Sequence, residues 1–283
     1  MRVLVIGKSG MLARALAGEL THRRVAFEVV GRPEVDLSKP STIPGGFAGF
    51  THVINASAWT DVDGAETHER EATVVNGESV GVLARACAAS DTTLVHYSTD
   101  YVFNGRANTP YSIDTPRDPV SAYGRSKAKG EASLQETHSL APRWLCLRTS
   151  WLYAPWGKNF TRTIARASRE RDALKVVIDQ RGRPSSCLTL ARTTLDLLEK
   201  NATGMLHACD AGECTWFEFA KEIVRLAGRE GTCRVDPCTT DEFPRPARRP
   251  AYSVLDLAPT EALVGPMTPW REALAEVFAR LEA

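Results

Sequence analysis

The chain has 283 residues, of which 43% are hydrophobic and 24% charged, with a formal net charge of +1. This is the composition of an ordinary globular protein, which excludes a disordered chain or a coiled coil. A nearly neutral charge also gives no electrostatic reason to expect DNA or RNA as a partner.

The distribution of apolar residues argues against two further classes of protein. The first apolar run ends at Gly7 and is too short for the hydrophobic region of a signal peptide. No run approaches the roughly 20 apolar residues that a membrane-spanning helix needs. We therefore expect a cytoplasmic protein without a membrane partner.

Short apolar runs alternate with helical patterns over residues 1–150, as in strand–helix–strand units around a parallel sheet. The predicted strands are Arg2–Ile6, Ala26–Val30, Val53–Ala56, Thr93–Tyr97 and Trp144–Arg148. The predicted helices are Leu12–Leu20, Val75–Ala89 and Tyr123–Gln135. We therefore predict an α/β fold with a Rossmann-like, doubly wound parallel sheet, in which residues 1–150 form a dinucleotide-binding domain.

The pattern is less regular after residue 150. Leu174–Ile178 has the pattern of a strand, whereas Leu190–Glu199 and Trp270–Leu281 have that of helices. Thr215 and Glu218 have the spacing of a capping box at the start of a further helix. We predict that residues 151–283 form mainly a smaller substrate-binding domain, and that a segment near 183–200 joins the first domain.

The seven cysteines raise the question of a metal site. Cys209 and Cys214 form one pair, Cys233 and Cys238 another, and each pair has four intervening residues, a spacing that alone admits zinc. However, Cys209 ends an apolar, strand-like run, and Cys214 directly precedes a helix cap. Reduced thiols in a reducing compartment explain the set better, and we predict no metal site.

A glycine-containing turn follows the first predicted strand. Gly7 and Gly10 allow a tight bend and a close approach of the backbone to a pyrophosphate at the start of the next helix, near Met11 and Leu12. Ala13 stands where a third glycine often occurs, and its small side chain still permits close helix–strand packing. A glycine pattern alone is weak, but its position after an N-terminal strand favours a dinucleotide site.

The end of the second predicted strand bears on the choice of cofactor. An acidic residue that would bind the ribose hydroxyls is missing there, and Arg32 can pair with the 2′-phosphate of NADPH. A solvated loop arginine is an equally good interpretation. Asp36 and Leu37 can flank the adenine, although Asp36 can also cap a helix after Pro40.

The strongest chemical signal is the pair Tyr123 and Lys127, which lie four residues apart and so share one helix face. A nearby ammonium group stabilises a phenolate and lowers its pKa, as an acid catalyst working at neutral pH requires. Thr99 and Asp100 follow a buried strand at the sheet edge where ligands bind. Thr99 can hydrogen-bond a substrate carbonyl opposite the tyrosine, or the two residues can simply cap a turn.

With these motifs the chain resembles short-chain dehydrogenases/reductases of the extended, sugar-nucleotide branch, and within it the dTDP-4-dehydrorhamnose reductase family. The resemblance covers nearly the whole chain. Its specific segments are GKSGML from Gly7, VINASAWTDVDGAE from Val53, HYSTDYVF from His96, AYGRSKAKGE from Ala122, LRTSWLYA from Leu147 and PARRP from Pro246.

The resemblance implies a role for individual residues. Tyr123 would be the proton donor, Lys127 would hold the nicotinamide ribose, Thr99 would orient the sugar carbonyl beside Asp100, and Trp151 would pack on the sugar. The cofactor NADPH or NADH would be bound by Gly7, Gly10, Met11, Leu12, Arg32, Asp36, Leu37, Ala56, Ser57, Ala58, Tyr123 and Lys127. The resemblance suggests a place in the site for four further residues as well. A cap, a loop hydrogen bond or surface charge would explain them equally well: Asn76, Asn159, Arg248 and Arg249.

One departure from the family concerns metal. Some members dimerise around Mg²⁺ held by glutamates, whereas the matching positions here are Ala15 and Leu188, with only Glu276 left. A site so poor in carboxylates does not suit a hard dication. We therefore expect a monomer or a dimer that does not depend on metal.

The function implied by the resemblance is NAD(P)H-dependent reduction of the C4 ketone of dTDP-4-dehydro-6-deoxy-L-mannose to dTDP-L-rhamnose. Two alternatives stay open at this point. The substrate can be another nucleotide-linked ketosugar, or the chain can be a non-catalytic, nucleotide-binding regulatory subunit of the same fold.

Overall fold

Strands and helices alternate along most of the chain in this computed structural model, which describes residues 1–137 and 143–281. The strands are β1 (Arg2–Ile6), β2 (Ala26–Val30), β3 (His52–Asn55), β4 (Thr93–Thr99), β5 (Trp144–Thr149), β6 (Leu152–Tyr153), β7 (Ala173–Val177), β8 (Arg181–Gly182), β9 (Ser185–Ser186), β10 (Gly204–His207), β11 (Cys214–Thr215) and β12 (Arg234–Cys238). The helices are α1 (Met11–His22), α2 (Glu69–Thr73), α3 (Ser79–Ala89), α4 (Ala122–Glu136), α5 (Phe160–Glu170), α6 (Cys187–Glu199), α7 (Trp216–Leu226), α8 (Ala258–Val264) and α9 (Trp270–Ala279).

A parallel sheet with the strand order β10-β5-β4-β3-β1-β2 lies at the centre of the molecule. The chain starts in the middle of this sheet, adds β2 on one side and then continues through β3 on the other. The order therefore reverses between β1 and β3, and such a switch point opens a crevice at the carboxyl ends of the strands. The predicted doubly wound, Rossmann-like fold is confirmed.

The sheet is covered on both faces, as the alternation of its apolar side chains requires. Val3 and Val5 of β1 pack in one apolar cluster together with α1 and α6. Leu4 and Ile6 of the same strand point the other way, into a cluster that includes α3 and the last turns of α4. Burial of both faces explains why all seven residues of β4 are buried.

Part of the second half of the chain contributes to this central layer. Strand β10 pairs with β5 at the edge of the sheet, and α6 packs on the same face as α1. The remaining strands form small two-stranded pairs, and rings from α5, α7 and α9 pack around Phe219. Strand β10 was not predicted, whereas the capping box that opens α7 is confirmed.

The predicted helix Val75–Ala89 starts too late and is not regular. Helix α2 begins at Glu69, a wide π-type turn follows at Val74–Glu78, and α3 continues to Ala89. Within the described part of the chain, no helix is long and apolar enough to cross a membrane. All seven cysteines are free and buried, and residues 1–137 and 143–281 contain no group of three or more metal-ligating side chains.

Candidate active site

The turn between β1 and α1 has the shape of an anion-binding loop. Gly7 has φ +133°, and a Cβ atom there would lie 3.1 Å from the carbonyl group of Ala56, so only glycine fits. Gly10 is the N-cap of α1, this helix end has no side-chain cap, and no acidic residue lies in its first turn. The amide groups and the positive end of the helix dipole therefore suit the phosphates of a dinucleotide.

The other residues expected around the loop are placed as follows. Met11 is half-buried against Asn159, whereas the side chain of Leu12 is part of the core. Ala56, Ser57 and Ala58 are half-buried and follow β3 directly, beside the glycine turn. The amide of Ser57 donates to Asn55 Oδ1 at 3.1 Å, which fixes the start of this segment.

The segment after β2 contains the residues expected at the adenosine end. Arg32 is exposed, and the side chain of Leu37 is buried. Asp36 accepts hydrogen bonds from the amide and hydroxyl of Ser38, and this hydroxyl, helped by the Arg32 and Lys39 charges, holds the pKa of Asp36 below its usual value. Lys39, without a side-chain bond, is the N-cap of the short helix after it, so the interpretation of Asp36 as that cap is wrong.

Thr99 and Tyr123 meet at the carboxyl end of β4. Thr99 ends the strand, and Tyr123 lies in the first turn of α4, whose N-cap is Ser121. A side chain at Gly124 would clash with the carbonyl oxygen of Tyr101, so the glycine lets α4 approach the segment after β4. This approach packs the Tyr123 ring edge-on against Tyr101, with 6.0 Å between the ring centroids.

The hydroxyl of Thr99 connects the residues around it. It donates to Asp100 Oδ1 at 2.9 Å, accepts from the amide of Tyr101 at 3.1 Å, and is hydrogen-bonded to Tyr123. Burial raises the pKa of Tyr123, the charge of Asp100 raises it further, and the bond to Thr99 opposes both. Thr99 thus caps the turn that follows it and also contacts the phenol.

Lys127 lies one turn after Tyr123 and is buried. Its ammonium group donates to the carbonyl oxygen of Tyr97 at 2.8 Å, and burial lowers its pKa to about 8. We expected this charge to lower the pKa of the phenol, whereas the pKa of Tyr123 is raised in the protein alone. The reason is that burial and Asp100 dominate at the phenol, while the ammonium is held by Tyr97.

Trp151 follows β5, the strand beside β4, so it lies at the same edge of the sheet as Thr99. Its backbone is in the left-handed region, with φ +47°, a costly conformation that is frequent at functional sites. The ring stacks on Trp216 with 3.7 Å between centroids, and Gly182 leaves room for its edge. Helix α7 thus fixes the orientation of this indole.

Arg249, a weak suggestion from the sequence, forms an ion pair that was not predicted. Arg249 donates to both oxygens of Asp63, at 2.9 and 3.1 Å, and also bonds to the Tyr101 phenol. The guanidinium of Arg249 holds the pKa of Asp63 below its usual value. Surface charge is therefore the wrong interpretation for Arg249, although Arg248 is exposed.

Two asparagines singled out in the sequence have structural contacts. Asn159 is the N-cap of α5 and donates to the carbonyl of Ala154 at 2.9 Å. Asn76 lies in the π-type turn, exchanges hydrogen bonds with the backbone of Trp59, and donates to Ser126 Oγ at 3.0 Å. The contacts of Asn76 connect α4 to the segment after β3.

Ala15 and Leu188, the positions where the resemblance would place Mg²⁺ ligands, line a cavity of about 320 Å³ between α1 and α6. Glu276 is not free to bind metal, because its carboxylate pairs with Arg192 at 2.7 Å and with Arg280 at 2.8 Å. Methyl and isobutyl groups supply no ligand, and the guanidinium groups repel a cation. The residues present therefore do not fit a divalent metal.

Comparison with known proteins identifies the family. The family described as the RmlD substrate binding domain matches residues 1–283. The chain belongs to this family. It is 40% identical to a dTDP-4-dehydrorhamnose reductase of Burkholderia thailandensis, over 97% of each chain. It is 39% identical to a Streptomyces antibioticus protein named as a dTDP-4,6-dihydroxy-2-methyloxan-3-one 4-ketoreductase, over 98% of this chain and 95% of that protein.

A solved structure of this family agrees with the fold. The dTDP-4-dehydrorhamnose reductase of Bacillus anthracis, in complex with NADP, superposes with a TM-score of 0.90. The two chains are 32% identical, and the match covers 98% of each. The resemblance inferred from the motifs is thereby confirmed.

Proposed function

We propose that the protein is an NADPH-dependent reductase that converts the C4 ketone of dTDP-4-dehydro-6-deoxy-L-mannose into the alcohol of dTDP-L-rhamnose. The observation that carries this proposal is the hydrogen-bonded pair Thr99 and Tyr123 with Lys127 on the same helix face. The pair lies at the edge of the sheet that also bears the glycine turn. The names of the relatives supply the class of substrate.

Each residue of the pair has a defined task in this reaction. When bound, NADPH supplies the hydride. Tyr123 donates its phenolic proton to the carbonyl oxygen, since the raised pKa keeps that proton on the phenol until the oxygen becomes basic. Thr99 orients the carbonyl, Lys127 holds the nicotinamide ribose, and Trp151 forms one wall for the sugar.

A second candidate is the reduction of a different dTDP-linked ketosugar. The observation in its favour is the Streptomyces antibioticus relative, which is about as similar to this chain as the rhamnose enzyme and is named for another ketone. The same residues would perform the chemistry, and only the fit of the sugar would differ. We also place the protein in the cytoplasm, because seven free, buried cysteines suit a reducing compartment.

The test is turnover by the wild type and by Tyr123→Phe. The wild type should oxidise NADPH in the presence of dTDP-4-keto-6-deoxyglucose and the cognate epimerase. Tyr123→Phe should lower kcat by about 10²–10⁴-fold, because the ring then has no proton to give. The dissociation constant of NADPH should change little.

The control is Tyr153→Phe, which removes a fully buried phenol that donates to Asp210, whereas Tyr123 is partly buried. It should leave kcat unchanged and cost stability only. Near wild-type turnover by Tyr123→Phe would show that another group is the acid. Binding of NADPH without reduction of any nucleotide ketosugar by the wild type would indicate a regulatory subunit.

A further inference from the structure

Asp100 is a buried carboxyl group that folding alone does not explain. Asp100 is 2% exposed, Oδ1 accepts from Thr99, and Oδ2 has no hydrogen-bond partner of good geometry among residues 1–137 and 143–281. Buried polar atoms are nearly always paired, so an unpaired carboxyl oxygen calls for a functional reason. The group also lies at the reacting end of the site, one residue after Thr99.

A second buried carboxyl provides the contrast. Asp210 is 1% exposed, and its Oδ1 accepts from Thr189. Its Oδ2 accepts from the amide of Ser186 at 2.9 Å and from the Tyr153 phenol at 3.2 Å. Both oxygens of Asp210 therefore accept hydrogen bonds that stabilise the fold, whereas only one oxygen of Asp100 does.

The contacts of Thr99 connect Asp100 to the acid of the reaction. The Thr99 hydroxyl is bonded to the Tyr123 phenol on one side and to Asp100 Oδ1, at 2.9 Å, on the other. A hydroxyl can accept one proton while it donates another, so it can pass a proton between its two partners. These three side chains form a continuous path from the Asp100 carboxyl to the Tyr123 phenol.

We propose that Asp100 returns a proton to Tyr123 through the Thr99 hydroxyl after each reduction. This rests on the function proposed above. When the carbonyl oxygen takes the phenolic proton, Tyr123 is left as a phenolate. The Thr99 hydroxyl then turns its O–H from Asp100 Oδ1 to the phenolate and accepts from the protonated Oδ1 instead. The Oδ1–H bond breaks and its proton binds Thr99 Oγ1, while the Thr99 O–H breaks and its proton binds the phenolate. Asp100, now a carboxylate, regains a proton from water once the product leaves.

The electrostatics at both ends favour this direction. Burial raises the pKa of Asp100 to about 7, although the hydroxyls of Ser253 and Thr99 oppose it, so the group carries a proton in much of the neutral range. The titratable side chains that Asp100 affects are Tyr101, Tyr123 and Cys209, each with a pKa raised by burial. The Tyr123 phenolate is therefore a stronger base than the Asp100 carboxylate, and proton transfer from Asp100 to Tyr123 is favourable.

Lys127 is the other buried group able to carry a proton near Tyr123. Its ammonium donates to the carbonyl oxygen of Tyr97 at 2.8 Å, so it is directed to the backbone of β4. Asp100, in contrast, shifts that pKa and shares a hydrogen-bonding partner with the phenol. The geometry thus favours the carboxyl over the ammonium as the source of the returning proton.

Asp100→Asn tests the proposal because it keeps the shape and the acceptor for Thr99 but has no proton to give. In the first turnover Tyr123 still has its own proton, so one NADPH per site should be oxidised at a rate within about threefold of the wild type. The next turnovers should be at least about tenfold slower, because the asparagine cannot reprotonate the Tyr123 phenolate. A loss of sugar contact alone would instead slow the first turnover or raise KM.

The pH profile gives a second measurement. Wild-type kcat should fall as pH rises through the pKa of Asp100, because the carboxylate has no proton to return, and Asp100→Asn should lose this alkaline limb. In the protein without ligands, infrared difference spectra should show two buried carboxyls that titrate near neutral pH, one of which is missing in Asp100→Asn and the other in Asp210→Asn. Asp210→Asn is the matched control, since it removes the other carboxyl with a pKa of about 7 and should keep both the kinetics and the pH limb.

The path through Thr99 is tested by a pair of variants. Thr99→Ser retains the hydroxyl and should turn over repeatedly. Thr99→Val loses both the contact with the carbonyl and the relay, so its first turnover should be slowed and its later turnovers should be slower still. Equal first and later turnovers in Asp100→Asn would overturn the relay and leave Lys127 or water as the source. An inactive wild type would instead contradict the proposed reductase function, while the infrared titration would still report on Asp100.

Discussion

At the residue scale, the sequence was most informative where a motif lies on one regular element. Tyr123 and Lys127 could be predicted together because a helix places residues four apart on one face. The pair Asp63 and Arg249 could not, because its members are 186 positions apart and meet only through the folding of two loops. Neither residue type, taken alone, indicates that the two would pair.

The effect of Lys127 shows a second limit of motif reasoning. The spacing placed the ammonium on the correct face of α4, but the nearest acceptor, the carbonyl of Tyr97, lies on the neighbouring strand. A hydrogen bond to backbone from another element is invisible in the spacing of a motif. The raised pKa of Tyr123 likewise depends on burial, which only the packed structure reveals.

Arg32 provides a test of cofactor choice at a single exposed side chain. We expect the wild type to use NADPH at least as well as NADH, because Arg32 follows β2 where the 2′-phosphate would lie and no carboxylate replaces it. Arg32→Ala should lower kcat/KM for NADPH about tenfold, or 1.4 kcal/mol, and leave the value for NADH nearly unchanged. Arg166→Ala on α5 is the control and should affect neither. A tenfold preference of the wild type for NADH would contradict the role of Arg32.

At the element scale, regular periodicity predicts helices and strands correctly, whereas an irregular turn within a helix does not show in the pattern. The π-type turn at Val74–Glu78 shifts the phase of the helical pattern, so only Val75–Ala89 was predicted from a helix system that begins at Glu69. The wide turn carries Asn76, which bridges to Ser126 on α4. An irregular turn thus supports the helix that holds Tyr123.

Helix α7 gives a prediction that links helix stability to substrate binding. Thr215 Oγ1 accepts from the amide of Glu218 at 3.1 Å, and the Glu218 carboxylate accepts from the amide of Thr215 at 2.7 Å. Thr215→Ala removes one half of this capping box and should lower the free energy of unfolding by about 1 kcal/mol, measured with urea. Because α7 bears Trp216, on which Trp151 stacks, KM for the sugar nucleotide should also rise.

The control for this variant is Thr232→Ala, whose exposed hydroxyl donates only to a nearby carbonyl in the turn after α7. It should change the free energy of unfolding by less than about 0.5 kcal/mol. An equal loss of stability in both variants would mean that the capping box contributes nothing specific. An unchanged KM in Thr215→Ala would separate the stability of α7 from the position of Trp151.

At the scale of the whole molecule, the layered architecture could be predicted from the sequence, but not every strand of the central sheet could. Alternating strands and helices in residues 1–150 are enough to predict a doubly wound sheet. The short strand β10, only four residues long, carries too little pattern to be recognised. It finds its place because the edge of β5 offers unpaired backbone groups, a long-range condition that a local pattern does not contain.

The surface formed by α1, α6 and α9 leads to the last prediction, which concerns metal and assembly. Ala15 and Leu188 present no oxygen ligands, and the carboxylate of Glu276 is neutralised by Arg192 and Arg280. Glu19, a carboxylate that lines the cavity between α1 and α6, pairs with Arg23 at 2.8 Å. A divalent cation would have to displace guanidinium groups from both carboxylates, which is unfavourable for a hard ion. EDTA should therefore leave kcat, the Tm and the molar mass from light scattering unchanged, whether the protein is a monomer or a dimer. The sensitive comparison is Glu276→Gln: this variant should lose the ion pairs and some stability, yet remain indifferent to Mg²⁺ and EDTA. A mass that falls on chelation, and recovers with Mg²⁺, would show that ligands other than these residues hold a metal.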